Sequence, residues 1–266
     1  MVYFTKNKFL GTAAYEKYSK DGAQVLQIAA TNLYDYLKQN SKQKLYFYGT
    51  KALQSVDGKW AEFASDLFTI DIDLGSEDPS ETVGVALLFL FDLAETTVFE
   101  IDDVVLRISH VYASYKEDGG FYTIHMDIKI DMPGRSFCYL VCRSGIADIT
   151  PKKVLSEHHE WQTPCNYLCG LIDKLFNTYL NPRITDQQRP FSAEKTKKKM
   201  FALRLPDLTE GERDEILVLS KQSEFTALCK IQYAQDFLSD FLQGNLKHAI
   251  DVYFEAFVKS VDLKKK

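Results

Sequence analysis

One stretch limits the fold more than any other, residues 104–143. Apolar and polar residues alternate there through three runs, split by turn signals at Gly119-Gly120 and Pro133-Gly134. Period-two alternation marks half-buried strands, and Gly and Pro supply the dihedrals of tight reversals. The stretch predicts a three-stranded antiparallel meander. Its register follows from parity, because cross-strand neighbours point to the same side of a sheet. Tyr122, Ile124, Met126, Ile128 and Ile130 form the apolar row of the middle run, and Val104, Leu106, Ile108 and Tyr112 that of the first. Even residues therefore face even residues. That parity selects the three-residue loop Asp118-Gly119-Gly120, with Gly120 left-handed. It sets Arg107 opposite Asp131, Asp127 opposite Val111, Tyr139 opposite Ile128 and Phe137 opposite Ile130. The other face carries Thr123, His125, Asp127, Lys129 and Asp131 beside Val111, Ala113, Leu140 and Cys142. Such a mixture suits a half-covered surface.

The rest of the chain is read around this sheet. A helical stripe runs from about Thr12 to Gln39 through Leu26, Ala29, Ala30, Leu33, Tyr36 and Leu37. Lys44–Tyr48 and Phe68–Asp73 read as strands. Residues 82–92 hold the apolar run Val85–Phe91 and read as a buried strand or a buried helix, a choice that length does not decide; Gly84, a poor helix residue, and the flanking Thr and Val favour the strand. After Thr150 the pattern turns helical. Thr163 as cap and Pro164 as first residue open a helix whose stripe is Cys165, Leu168, Cys169, Ile172, Leu175, Phe176 and Tyr179. Prolines 182, 190 and 206 and the run Lys195-Thr196-Lys197-Lys198-Lys199 read as an exposed connection. A helix near Glu210–Lys221 follows, then a long final one through Leu238 to Val261, relaxed at Gly244. The sum is an α+β fold: a mainly antiparallel sheet with its meander at about 104–143, an N-terminal helix and a helical C-terminal part. Residues 1–150 form the sheet domain and 151–266 the helical part, either separate or packed on the same core.

Composition narrows the class. At 45% hydrophobic and 13% aromatic residues, the chain has ample material for a packed core and is not a disordered one. Its five cysteines lack metal-finger spacing and read as free thiols of a reducing compartment. MVYFTKNKFLG lacks the apolar run of a secretory signal, and no apolar run approaches the roughly 20 residues of a membrane span. A soluble, cytoplasmic or otherwise intracellular protein is expected. The net charge of −5 is unevenly spread: residues 151–266 hold 18 Lys+Arg against 16 Asp+Glu, so the helical part is mildly basic.

Two patterns lead toward chemistry. Tyr48-Gly49-Thr50 closes one strand and Asp71-Ile72-Asp73 lies on a later one. This arrangement resembles the nucleotidyltransferase superfamily, over residues 48–73 only. The resemblance implies Gly49 and Thr50 as nucleotide-binding residues and Asp71 and Asp73 as the Mg²⁺-holding catalytic pair, with Asp127 as a third carboxylate. Alternate strand residues point to one side, so two carboxylates can chelate one hard cation. The simpler reading of Asp71 and Asp73 is the wet face of an amphipathic strand, with no metal or cofactor. Asp127-Ile128-Lys129 also matches the triplet of metal-dependent nucleases, but the derived register leaves Asp103 roughly 26 Å short of joining it. His158, His159, Cys165 and Cys169 are split by Pro164 and read as surface histidines and core thiols.

The second pattern is basic: Lys195, Lys197, Lys198, Lys199 and Arg204 form an anion-binding candidate for nucleic acid or a phosphorylated partner. Apolar helix surface after residue 223 exceeds what one sheet face covers. The leading expectation is therefore a non-catalytic interaction or assembly module, acting through a protein partner or self-association, with nucleic acid reached through 195–204. The alternative is the Mg²⁺-dependent nucleotidyltransferase-like enzyme.

Overall fold

A computed structural model describes residues 32–33, 35–42, 45–54, 58–64, 73–76, 78–96, 98–101, 104–116, 121–132, 135–147, 162–203 and 208–263. The chain divides into two compact units, Met1–Lys51 with Thr69–Trp161, and Ala52–Phe68 with Gln162–Lys266. Helix and sheet are combined in an α+β arrangement. Among the described residues no helix is long and apolar enough to cross a membrane.

The first unit contains the sheet. Its strands are β1 (Leu45–Tyr48), β2 (Asp73–Ser76), β3 (Phe99–Ile101), β4 (Val104–Lys116), β5 (Phe121–Met132) and β6 (Arg135–Ala147), in the spatial order β1-β2-β6-β5-β4-β3. All neighbours are antiparallel except β2 and β6, which run parallel. Helix α1 is described at residues 32–33 and 35–40, with Leu33 and Leu37 buried. The predicted strand at 68–73 is described only from Asp73, where β2 begins.

The register differs from the parity argument in an instructive way. Leu106 faces Ile130 and Ile108 faces Ile128, even against even, but Arg107 faces Lys129 and not Asp131. Lys116 pairs with Phe121, so the loop has four residues, 117–120, instead of three. A four-residue loop gives odd parity, and a bulge restores the even one. Ser109 falls between the Ile108 and His110 pairings, which puts two β4 residues against one on β5. The bulge also exchanges the faces. Ile108 and Val111 are both buried, Tyr112 is exposed, and Val111 faces Met126 and not Asp127. Tyr139 faces Ile128 and Phe137 faces Ile130. The side chains of the middle strand's polar row lie outside the described residues.

Residues 82–92 are helical, within α4 (Pro79–Thr96). Asp78 caps it, its Oδ1 accepting from the Glu81 amide at 3.0 Å, and Pro79 opens it with the dihedral a first turn needs. Gly84 sits where an added Cβ would meet nothing within 4 Å, so it costs only its own low propensity. The helix packs on β4, β5, β6 and β2 through a buried stripe of Val83, Ala86 and Leu90. Buried Ser76, the last residue of β2, shares a hydrogen bond of 2.6 Å with Thr82 in the first turn of α4.

The second unit is helical and is built around α5 (Pro164–Leu180). Thr163 accepts from the Asn166 amide and Pro164 is the first residue, as the sequence predicts. Around it lie α2 (Gly49–Gln54), α3 (Lys59–Ala64), α6 (Gln188–Ala202), α7 (Glu210–Leu219), α8 (Thr226–Lys230), α9 (Gln232–Leu242), α10 (Leu246–Ala249), a π-helical turn (Ile250–Phe254) and α11 (Glu255–Leu263). Of α2, Ala52–Gln54 belong to this unit. α5 packs against α6, α7, α8 and α9. Its Phe176 is the hub of an aromatic cluster, with ring centroids 5.6 Å from Phe237, 5.5 Å from Phe254 and 5.0 Å from Phe257.

Two expectations are corrected here. Residues 188–202 are a helix and not an exposed connection, because Arg189, Ala193, Thr196 and Met200 form a buried stripe and Pro190 falls in the first turn, where no amide partner is lost. The final helix is several pieces. Gly244, at φ +85°, ends α9 in a Schellman motif: its amide donates to Phe241 O at 2.9 Å and that of Asn245 to Asp240 O at 3.2 Å.

The segment 52–68, which lies between β1 and β2 in the chain, is tied into this unit by one carboxylate. Glu212 completes a capping box with Thr209 and also accepts from Lys59 Nζ at 2.6 Å and Trp60 Nε1 at 2.9 Å. Asp173 plays a similar part inside the unit, accepting from the Ala227 amide at 2.7 Å and the Leu228 amide at 3.2 Å at the start of α8.

Candidate functional site

The carboxylate candidate is partly assembled. β1 is followed at once by Gly49, whose φ of +77° lies in the left-handed region that glycine favours. An added Cβ there would fall 2.7 Å from Asp73 Oδ2, so a side chain at 49 would push the Asp73 carboxylate aside. Tyr48 and Asp73 are paired across β1 and β2. Burial, with the Asp73 carboxylate adding to it, pushes the Tyr48 hydroxyl well above its ordinary range. Thr50, next along the chain, is buried. The structure thus brings Gly49 and Asp73 together, while Asp71 lies outside the described residues.

Asp127 is not brought to them. Across the sheet Asp73 pairs with Gly145, and Gly145 with Thr123. Asp127 stands four residues further along β5, roughly 13 Å of strand from that row, and two strands away from β2. Among the described residues no group of three or more His, Cys, Asp or Glu could hold a metal ion.

The thiols serve the core. Cys165 and Cys169 are buried on α5, and their S–H groups point to the Glu212 and Ile216 carbonyls. Burial first, and the nearby Glu215 carboxylate second, push both thiols up, Cys169 to about 12. Nucleophiles and metal ligands need the thiolate, which this setting opposes. His158 and His159 lie outside the described residues.

The basic candidate is sharpened. α6 turns the lysine run so that its members differ. Lys197 reaches inward, its Nζ 3.0 Å from Glu255 Oε1 and 4.8 Å from the centre of the Phe254 ring. Lys199 is half-buried, and Arg204 lies outside the described residues. Lys195 and Lys198 are exposed, and so are two aromatic residues, Phe191 at 64% and Phe201 at 49%. Positions 191, 195, 198 and 201 recur at three and four, so they share one face opposite the buried stripe. The row spans about 15 Å of helix, and exposed Glu194 lies beside it.

Phe191 and Phe201 were missed in the sequence reading. The signal was their spacing from the lysines, visible only once residues 188–202 are read as helix. Compared with known proteins, the chain matches no protein-family model, no curated protein and no solved structure.

Proposed function

We propose that this protein is a non-catalytic binding module whose α6 face takes single-stranded nucleic acid. The observation that carries the reading is the row Phe191, Lys195, Lys198, Phe201, aromatic at both ends and cationic between. Exposed rings on a helix hide no core surface, whereas bases can stack on them and phosphates can meet the lysines. Stacking contributes about 1–3 kcal/mol per base by alanine substitution, and each neutralised phosphate adds about 0.7 to the salt slope of single-strand binding.

Titration of a fluorescent single-stranded oligonucleotide over a range of salt tests it. The Lys195→Glu/Lys198→Glu variant is expected to weaken binding and lower the salt slope by about 1.4. Phe191→Ala is expected to weaken it by roughly tenfold at an unchanged slope. Absence of binding at low salt, or a slope untouched by the lysine changes, overturns the reading.

A second reading rests on the contact between the Gly49 backbone and Asp73: a Mg²⁺-dependent nucleotidyltransferase-like activity using Gly49, Thr50, Asp71 and Asp73. Nucleoside triphosphate with Mg²⁺ would then raise the melting temperature of the protein but not of Asp73→Ala. No shift with any nucleoside triphosphate removes this reading.

A further inference from the structure

A second surface of the helical unit is concave and has a different chemistry. A groove of about 700 Å³ runs between α7 and α9, with α8 beneath it. Its apolar lining is Leu217 from α7, Leu228 from α8, and Leu238 and Leu242 one turn apart on α9. Leu217 is 42% exposed, in the apolar second half of α7 after a charged first half. The walls are fixed. Arg213 donates from Nε to Leu208 O at 3.2 Å and from a terminal nitrogen to Leu242 O, tying α7 to the end of α9.

The rim is polar and asymmetric. Exposed Glu210 and Asp214, one turn apart on α7, stand at one end, where the guanidinium of Arg213 between them is turned to backbone carbonyls, and Lys221 stands at the other. Glu210 and Asp214 are balanced by Arg213 and Lys221, so the lining has no net positive charge to draw a polyanion, and this groove and the α6 face select different ligands. The α7 wall, Glu210–Leu219, extends roughly 15 Å, the length of about ten helical residues.

We propose that this groove docks a short amphipathic helix from a partner protein, two to three turns long, with leucine-type side chains on the floor and a basic residue facing Glu210 and Asp214. Helix-in-groove recognition reads apolar anchors at three- and four-residue spacing, and here Leu217 forms an exposed apolar wall over a floor of Leu228, Leu238 and Leu242, which are themselves largely buried. The acidic pair sets direction, because only one orientation of a segment with a basic end meets it, while Lys221 favours an acidic or C-terminal end.

Panning a displayed library of random peptides, several helical turns long, on the intact protein tests the assignment. Enriched sequences are expected to share apolar residues at three- and four-residue spacing with Lys or Arg at one end. Their synthetic peptides should lose at least tenfold in affinity to Leu217→Arg, an exposed position where the fold is not at stake. Asp214→Lys should weaken the basic peptides and leave the melting midpoint unchanged. Lys198→Glu, on the other face, should change nothing. Enrichment without helical spacing, selection of acidic peptides, or binding indifferent to Leu217→Arg would each overturn the proposal.

Discussion

Helices α4 and α5 start alike and are used differently. Each opens with proline behind a capping side chain, Asp78 for α4 and Thr163 for α5, and their lengths are 18 and 17 residues. By sequence α4 is the more apolar, with Val85–Phe91 uninterrupted. Yet α5 buries eleven residues beneath four other helices, whereas α4 buries a stripe against one sheet and leaves Leu88 70% and Phe91 46% exposed. Burial is set by how many layers surround an element, and apolarity only permits it. The helical unit is a core with a centre. In the sheet unit the burial runs through the sheet instead, with Leu45, Tyr46 and Phe47 buried in succession along β1.

The sharpest way to break this contrast is at the centre of α5. Phe176 is fully buried and touches three other aromatic rings, so Phe176→Ala is expected to cost about 3–5 kcal/mol. Urea unfolding of the whole chain checks it. A loss under about 1 kcal/mol would show that the ring cluster is not the hub of the unit.

A smaller loss is expected at the carboxylate that ties α3 to α7. Burial raises the Glu212 carboxyl, but hydrogen bonds from Lys59, the Thr209 amide and hydroxyl, and Trp60 outweigh it and hold the group down at about 2. Glu212→Gln removes the charge that these donors face and is expected to cost about 1.5–3 kcal/mol near neutral pH. The sign of the pH effect follows from the depressed value. Stability is present above the unfolded value of about 4.3 and is lost as pH falls toward 2. The unmodified protein should therefore weaken more steeply than Glu212→Gln between those limits. Parallel acid profiles would break the assignment.

How far the sequence was readable divides along the same line. The cap and stripe of α5 were legible because polar and apolar residues alternate around it with the helical period. α4 was not, since a run that is apolar on every side has no period, and Gly84 pointed the wrong way while Asp78-Pro79 held the decisive start signal. α6 was hidden for the opposite reason. Its buried stripe consists of Arg189, Ala193, Thr196 and Met200, and the lysines between them suggested a loop. The bulge at Ser109 has no local signature, and with the four-residue loop it moved both pairings derived between the first two strands, while those derived across the second turn stand. For the candidate sites, the approach of Gly49 to Asp73 was readable as a strand–turn pattern. The place of Asp127 needed the register, and the inward turn of Lys197 needed Glu255, 58 residues away.

The smallest expected effect tests the other half of the contrast. Leu88 is 70% exposed on a helix whose sheet-facing stripe is already supplied by Val83, Ala86 and Leu90. Leu88→Gln keeps the helical propensity and adds no charge, which matters because Asp92 stands one turn away and a carboxylate at 88 would repel it. An exposed substitution of this kind should leave the unfolding free energy within about 0.5 kcal/mol of the unmodified protein. A loss of about 2 kcal/mol, the value of a buried leucine side chain, would mean that this face of α4 is covered in solution. The difference between the two helices would then lie in which surface covers each, and not in whether one is covered at all.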